Sequence, residues 1–91
     1  MGGNEFIDAA KNAIMMYLKN PKLEAEDIQI VWVCKTLQNC KGLFFAPVED
    51  ELYFEITYNG NEDEMYMDVY RKLDNVVVVR ADKVGDIVEE G

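Results

Sequence analysis

Leu52-Tyr53-Phe54-Glu55-Ile56-Thr57-Tyr58, a break at Asn59-Gly60-Asn61-Glu62-Asp63-Glu64, and then Met65-Tyr66-Met67-Asp68-Val69-Tyr70-Arg71 decide the fold. Both apolar runs alternate with a period of two, the spacing of a strand with one buried and one open face. In the first run Leu52, Phe54, Ile56 and Tyr58 share a side, and Tyr53, Glu55 and Thr57 share the other. In the second, Met65, Met67 and Val69 face the core, while Tyr66, Asp68 and Tyr70 face out. Asn59-Gly60 is a hairpin signal because both residues tolerate positive φ. Strands joined so closely pair antiparallel, and the alternation fixes their register. Glu55 and Asp68 are then expected on one sheet face with Tyr53, Tyr66 and Tyr70.

Upstream, Asn4 to Asn20 predicts a helix. Phe6, Ile7, Ala10, Ile14, Tyr17 and Leu18 fall on one half of the wheel, while Glu5, Asp8, Lys11, Asn12 and Lys19 fall on the other. Asn4 is a candidate N-cap, and Pro21 stops the helix because the residue before a proline avoids the helical region. Met15 lies on the polar half as an exposed apolar residue. Residues 21–27 form a polar connector with room for one turn of helix. Ile28 to Leu37 predicts a strand, with Ile28, Ile30, Trp32 and Cys34 on one side and Gln29, Val31, Val33, Lys35 and Leu37 on the other. Turn chemistry follows at Gln38-Asn39-Cys40-Lys41-Gly42, and a second strand at Leu43 to Val48, which Pro47 ends or confines to an edge. Downstream, Leu73-Asp74-Asn75 turns the chain and Val76 to Val79 predicts a further, buried strand. The stretch from Ala81 onward reads as a short helix or coil.

This order predicts an α+β fold in one domain over residues 1–91: an N-terminal helix packed on an antiparallel meander sheet of four to five strands. At 91 residues the core is one layer of side chains. An apolar fraction of 49% is too high for a disordered polypeptide.

The charge narrows the function. Nine Lys and Arg against 18 Asp and Glu give a net charge of −9. Direct binding to nucleic acid and docking on an anionic membrane are therefore not expected. The longest apolar runs are four residues, too short for a membrane span, and no signal peptide is expected. The myristoylation pattern fails at Phe6. The absence of His removes His-based catalysis and His metal ligands. Cys34 and Cys40 are expected to be reduced thiols of a cytoplasmic protein, Cys34 buried with Ile30 and Trp32 and Cys40 reactive in a turn. No metal, cofactor or enzymatic activity is expected. A carboxylate pair is a weak signal among 18 acids, and a domain this small has little room for a pKa-shifting pocket. Asn59, Asn61 and Asp63 have the first spacings of a calcium loop, but Glu64 stands where that loop needs Gly and Tyr70 where it needs Glu.

From Gly42 to Tyr70 there are eight acidic residues and no Lys or Arg. The sheet face carrying Tyr53, Glu55, Tyr66, Asp68 and Tyr70 is thus a candidate interaction surface, acidic and aromatic. The second candidate is the end of the first strand, Trp32 with Lys35, Gln38 and Asn39. Tyr and Thr are also ordinary residues of a solvated sheet face, and Trp32 followed by a turn also suits a core position; as a recognition surface, either patch is expected to bind a protein partner. Val31, Val33 and Leu37 on an uncovered face would each gain about 1.5–3 kcal/mol on burial, so a homodimer through that face or a sheet edge is also expected.

Val31-Trp32, Lys35-Thr36-Leu37-Gln38-Asn39, Glu55-Ile56-Thr57-Tyr58-Asn59-Gly60, Glu64-Met65-Tyr66-Met67-Asp68 and Tyr70-Arg71-Lys72 resemble a family of small phage and prophage proteins of Gram-positive bacteria. The likeness covers roughly residues 28–75, and the helix matches only in pattern. The resemblance implies a setting, the cytoplasm of a bacterial host, and no activity. A helix followed by a meander is also similar in architecture to cystatin-like and PepSY-like domains. The function expected from these readings is a non-enzymatic accessory protein acting by protein–protein interaction. The alternatives are an acidic inhibitor occupying a nucleic-acid-binding surface of a host protein, and a structural homo-oligomer.

Overall fold

The computed structural model describes residues 1–48 and 50–79. Helix α1 (Gly3–Leu18) is followed by a 3₁₀ turn (Ala25–Asp27) and four strands, β1 (Gln29–Thr36), β2 (Asn39–Ala46), β3 (Leu52–Asn59) and β4 (Glu64–Arg71). The sheet is an antiparallel meander in the order β1-β2-β3-β4. The expected α+β arrangement of one helix on a meander is the one observed. Its fifth strand is not: Val76 to Val79 adopt no regular structure and pair with no strand of the described residues. The stretch from Ala81 onward lies outside the described residues.

Helix α1 starts at Gly3, one residue before the predicted stretch. Gly2, rather than Asn4, is the N-cap, and the Gly2 N–H donates to Glu5 Oε1 at 3.3 Å. The helix ends at Leu18: the C-cap Lys19 still donates its N–H to the Met15 carbonyl, and its left-handed φ of 53° then turns the chain away. Phe6, Ala10 and Ile14, spaced by four, are completely buried. Met15 is not on an exposed face: its flexible chain reaches the core and is half-buried, while Met16 is the exposed methionine.

Phe6 lies 6.3 Å from Phe44, and Tyr17 meets Phe54 edge-on at 5.8 Å. Phe6, Phe44 and Phe54 with Ile28, Cys40, Ala46, Ile56 and Tyr58 form one core layer between the helix and one face of the sheet, and Tyr17, 53% exposed, stands at its margin. Each fully buried large side chain contributes about 1.5–3 kcal/mol. The sheet rows under the helix are Ile30–Phe44–Phe54–Val69, Val33–Gly42–Ile56–Met67 and Lys35–Cys40–Tyr58–Met65.

The parity of β1 is the main correction. Its register on β2 slips between Ile30 and Trp32, a bulge at Val31. One extra residue exchanges the faces of everything beyond it. Ile30 still faces the helix, but so do Val33 and Lys35, and Trp32, Cys34 and Thr36 turn to the opposite face. Gly42 accommodates the distortion, since a Cβ there would lie 3.2 Å from both the Trp32 carbonyl oxygen and Val33 Cγ2. Trp32 is consequently 41% exposed rather than in the core.

The first hairpin is also tighter than its turn residues imply. β1 and β2 are joined by Leu37 and Gln38 alone, so Asn39 to Gly42 are strand, and β2 ends at Ala46 before Pro47. Cys40 therefore lies under the helix at 2% exposure, and Cys34 is the exposed thiol, the reverse of the expectation from strict alternation. Both are free. Leu37 carries a φ of 56°, a left-handed conformation costing a residue with a Cβ about 1–2 kcal/mol.

We expect a thiol reagent to modify one cysteine rapidly in the native protein and both after unfolding. Cys34→Ser should remove the rapid reaction and Cys40→Ser should leave it unchanged. Rapid modification at Cys40 would contradict the bulge.

Candidate functional site

The helix covers one face of the sheet. The other face is uncovered by any described element, and the bulge adds β1 residues to it. Three rows cross it from β1 to β4: Gln29–Phe45–Tyr53–Tyr70, Trp32–Leu43–Glu55–Asp68 and Cys34–Lys41–Thr57–Tyr66. The registration of Glu55 opposite Asp68, with Tyr53 opposite Tyr70 and Thr57 opposite Tyr66, is the one the alternation of β3 and β4 predicts. All five residues of the acidic and aromatic candidate surface therefore lie together. Trp32 joins them, although its own strand pattern placed it elsewhere.

The face is organised by contacts across strands. Phe45 and Tyr53 rings meet at 5.0 Å, extending an aromatic row to Tyr70. The Tyr70 hydroxyl donates to Glu55 Oε1 at 3.2 Å, and Lys41 Nζ approaches Glu55 Oε2 at 3.5 Å. The Tyr66 hydroxyl donates to Glu64 on its own strand. Tyr66 and Tyr70 remain about half exposed, at 49% and 50%. Phe45, Leu43 and Lys41 were not among the sequence candidates. The reason is local: Phe44-Phe45 is a continuous apolar pair in β2, and only the register shows which ring is covered.

The carboxylates raise the phenols above their ordinary value. Tyr70 is raised above the ordinary 10.0 chiefly by the negative charge of Glu55, with partial desolvation next. Tyr66 is raised by its hydrogen bond to Glu64. On the helix side, Tyr58 is raised by donating to Asp63 at 2.7 Å. At neutral pH these tyrosines are therefore hydrogen-bond donors with flat apolar faces. The face has a negative potential set by Glu55, Asp68 and Glu64, and Lys41 is its one cation among the described residues.

At one end the two hairpins meet. The Gly60 N–H donates to Asn39 Oδ1 at 3.0 Å, joining Lys35-Thr36-Leu37-Gln38-Asn39 to Thr57-Tyr58-Asn59-Gly60. Gly60 is required by this approach and not by its backbone angles. A Cβ there would lie 2.0 Å from the Gln38 carbonyl oxygen, and the positive φ of that loop is at Asp63. Gln38 and Asn39 thus belong to the tip. Lys35 does not join the open face: it stands in the helix-side row and donates to the Leu37 carbonyl at 3.0 Å. Leu37 is 86% exposed at the extremity of the tip. Beside the tip the open face sinks into a shallow hollow of about 470 Å³, lined by Trp32, Cys34, Thr36, Lys41, Thr57 and Asn59 among others.

No group of three or more Cys, Asp or Glu side chains among the described residues converges as a metal site. No helix among them is long and apolar enough to cross a membrane.

The arrangement is that of a small α+β domain with one face of its sheet packed and the other presented to solvent. Residues 7–80 match a family of unknown function (DUF6275), and the chain belongs to that family. No curated protein and no solved structure matches it.

The phenol on β4 gives a check on the face. We expect Tyr70 to titrate above 10.0 and Glu55→Gln to return it toward that value, followed by ring chemical shifts. A group raised in the folded state holds its proton longer there than in the unfolded chain. Its stabilisation is then full below pH 10.0 and is lost as pH rises through the folded value. An unchanged Tyr70 titration in Glu55→Gln would contradict the cross-strand contact.

Proposed function

We propose that the chain is a non-catalytic protein-binding module that presents its uncovered sheet face to a cationic surface of a protein partner. The observation that carries this reading is the aromatic row Phe45–Tyr53–Tyr70 lying beside the carboxylates of Glu55 and Asp68, with Trp32 at its margin. Tyrosine and tryptophan supply large contact area at low cost in side-chain entropy. The carboxylates steer and orient a basic partner. The hollow beside Trp32 and Lys41 offers a place for one anchoring side chain.

The resemblance of the Lys35–Asn39 and Thr57–Gly60 segments supports a setting as an accessory protein of phage or prophage origin, working in the cytoplasm of a bacterial host. A partner whose basic surface ordinarily holds nucleic acid suits this face, and competition with nucleic acid would then be the outcome of binding.

Affinity purification of the tagged chain from such a host, with mass spectrometry, tests the reading. We expect a partner with a basic contact surface. Glu55→Lys with Asp68→Lys, or Tyr53→Ala with Tyr70→Ala, should each weaken it at least about tenfold, the scale of a lost interface anchor. A partner retained equally by both double variants would overturn the assignment of the face. A partner that releases nucleic acid on binding would specify the inhibitor form of the proposal.

A further inference from the structure

Among the described residues two features stand unpaired, and they match each other. The first is the free edge of β1. Of its eight residues only Lys35 is charged, and Ile30, Val31 and Trp32 are 43%, 50% and 41% exposed. Apolar residues directed to both faces are the composition of an interior strand, yet β1 lies at the edge of the sheet. Edge strands ordinarily carry charges that discourage pairing. The second feature is Val76 to Val79. Val76, Val77 and Val78 are 67%, 94% and 82% exposed, and this β-branched run prefers the extended, paired state.

We propose that Val76–Val79 of one copy adds as a strand to the free edge of β1 of a second copy, so that two copies exchange these segments in a two-fold dimer. Reach decides that the acceptor is a second copy. A strand beyond β1 would lie four inter-strand spacings, about 19 Å, from β4. Residues 72–75 allow at most about 18 Å from Arg71 to Val76 even when fully extended, and the path would also have to cross a face of the sheet. The beginning of the segment is held at β4's own end of the sheet by Arg71 with Asp50 at 3.7 Å and Lys72 with Glu51 at 3.1 Å. Charge selects the same surfaces. Two copies meeting through their open faces would bring Glu55 and Asp68 of each against the same acids of the other. The β1 edge and the valine run carry only Lys35 between them, so two chains of charge −9 can meet there.

Sedimentation of the full chain across micromolar concentrations tests this. The wild type should dimerise, more tightly as salt screens the like net charges. Val77→Thr, which keeps the β-branch, should retain the dimer. Val77→Pro, which cannot donate to a strand ladder, should raise the dissociation constant at least tenfold. Val31→Lys, which places a lysine on the acceptor edge, should do the same. Both positions are exposed, so circular dichroism should show the monomer fold unchanged. A wild type that stays monomeric throughout would overturn the proposal, as would a dimer that survives either Val77→Pro or Val31→Lys. Because Val77→Pro changes no residue of the open face, capture of the cationic partner should persist in it, which separates this proposal from the preceding one.

Discussion

Among the described residues one helix serves four strands, and that shortage governs how they pack. A helix of 16 residues is about 24 Å long and can cover one face of the sheet. The Phe6–Phe44 and Tyr17–Phe54 contacts decide which face it takes. Once Phe44, Phe54 and Ile56 are beneath the helix, strand geometry leaves Phe45, Tyr53 and Glu55 outward. The open face is the obligatory complement of the core, and its character was set by what the alternation could place there.

The open face is aromatic along one row and acidic along the next, with the Tyr70 hydroxyl donating to the Glu55 carboxylate. The basic residues of the described chain lie mostly elsewhere, on the helix, the connector and the end of β4. The molecule therefore carries surfaces of different kinds, a negative aromatic face, which we propose meets an unlike partner, and a nearly neutral edge, which we propose meets a like one. The tip formed by Leu37, Gln38 and Gly60 lies between them and joins the two hairpins through Asn39.

How much of this the sequence disclosed follows from where its periodicity is intact. β3 and β4 alternate without interruption, so Glu55 opposite Asp68 and Tyr53 opposite Tyr70 were legible. β1 was not, because a single bulged residue at Val31 leaves no compositional mark and reverses Trp32, Val33 and Cys34 together. The same reversal moved the expected uncovered apolar set: Val33 lies on the helix side and Leu37 at the tip. The turn was misplaced because Leu37 tolerates a left-handed conformation that its residue type disfavours, while the polar residues after it, which look like a turn, are strand. Val76 to Val79 read as a strand from propensity, and within one chain nothing described pairs with them.

The central claim is that the face bearing the single tryptophan is open and that the bulge put it there. Fluorescence of Trp32 measures this directly, since no other tryptophan contributes. At dilutions that keep the chain monomeric, the account predicts red-shifted emission that acrylamide quenches readily. Deleting Val31 removes the bulged residue and leaves Trp32 opposite Leu43 on the open face, so its emission should stay red-shifted and readily quenched. A blue-shifted, protected Trp32 in the wild-type monomer would contradict the account.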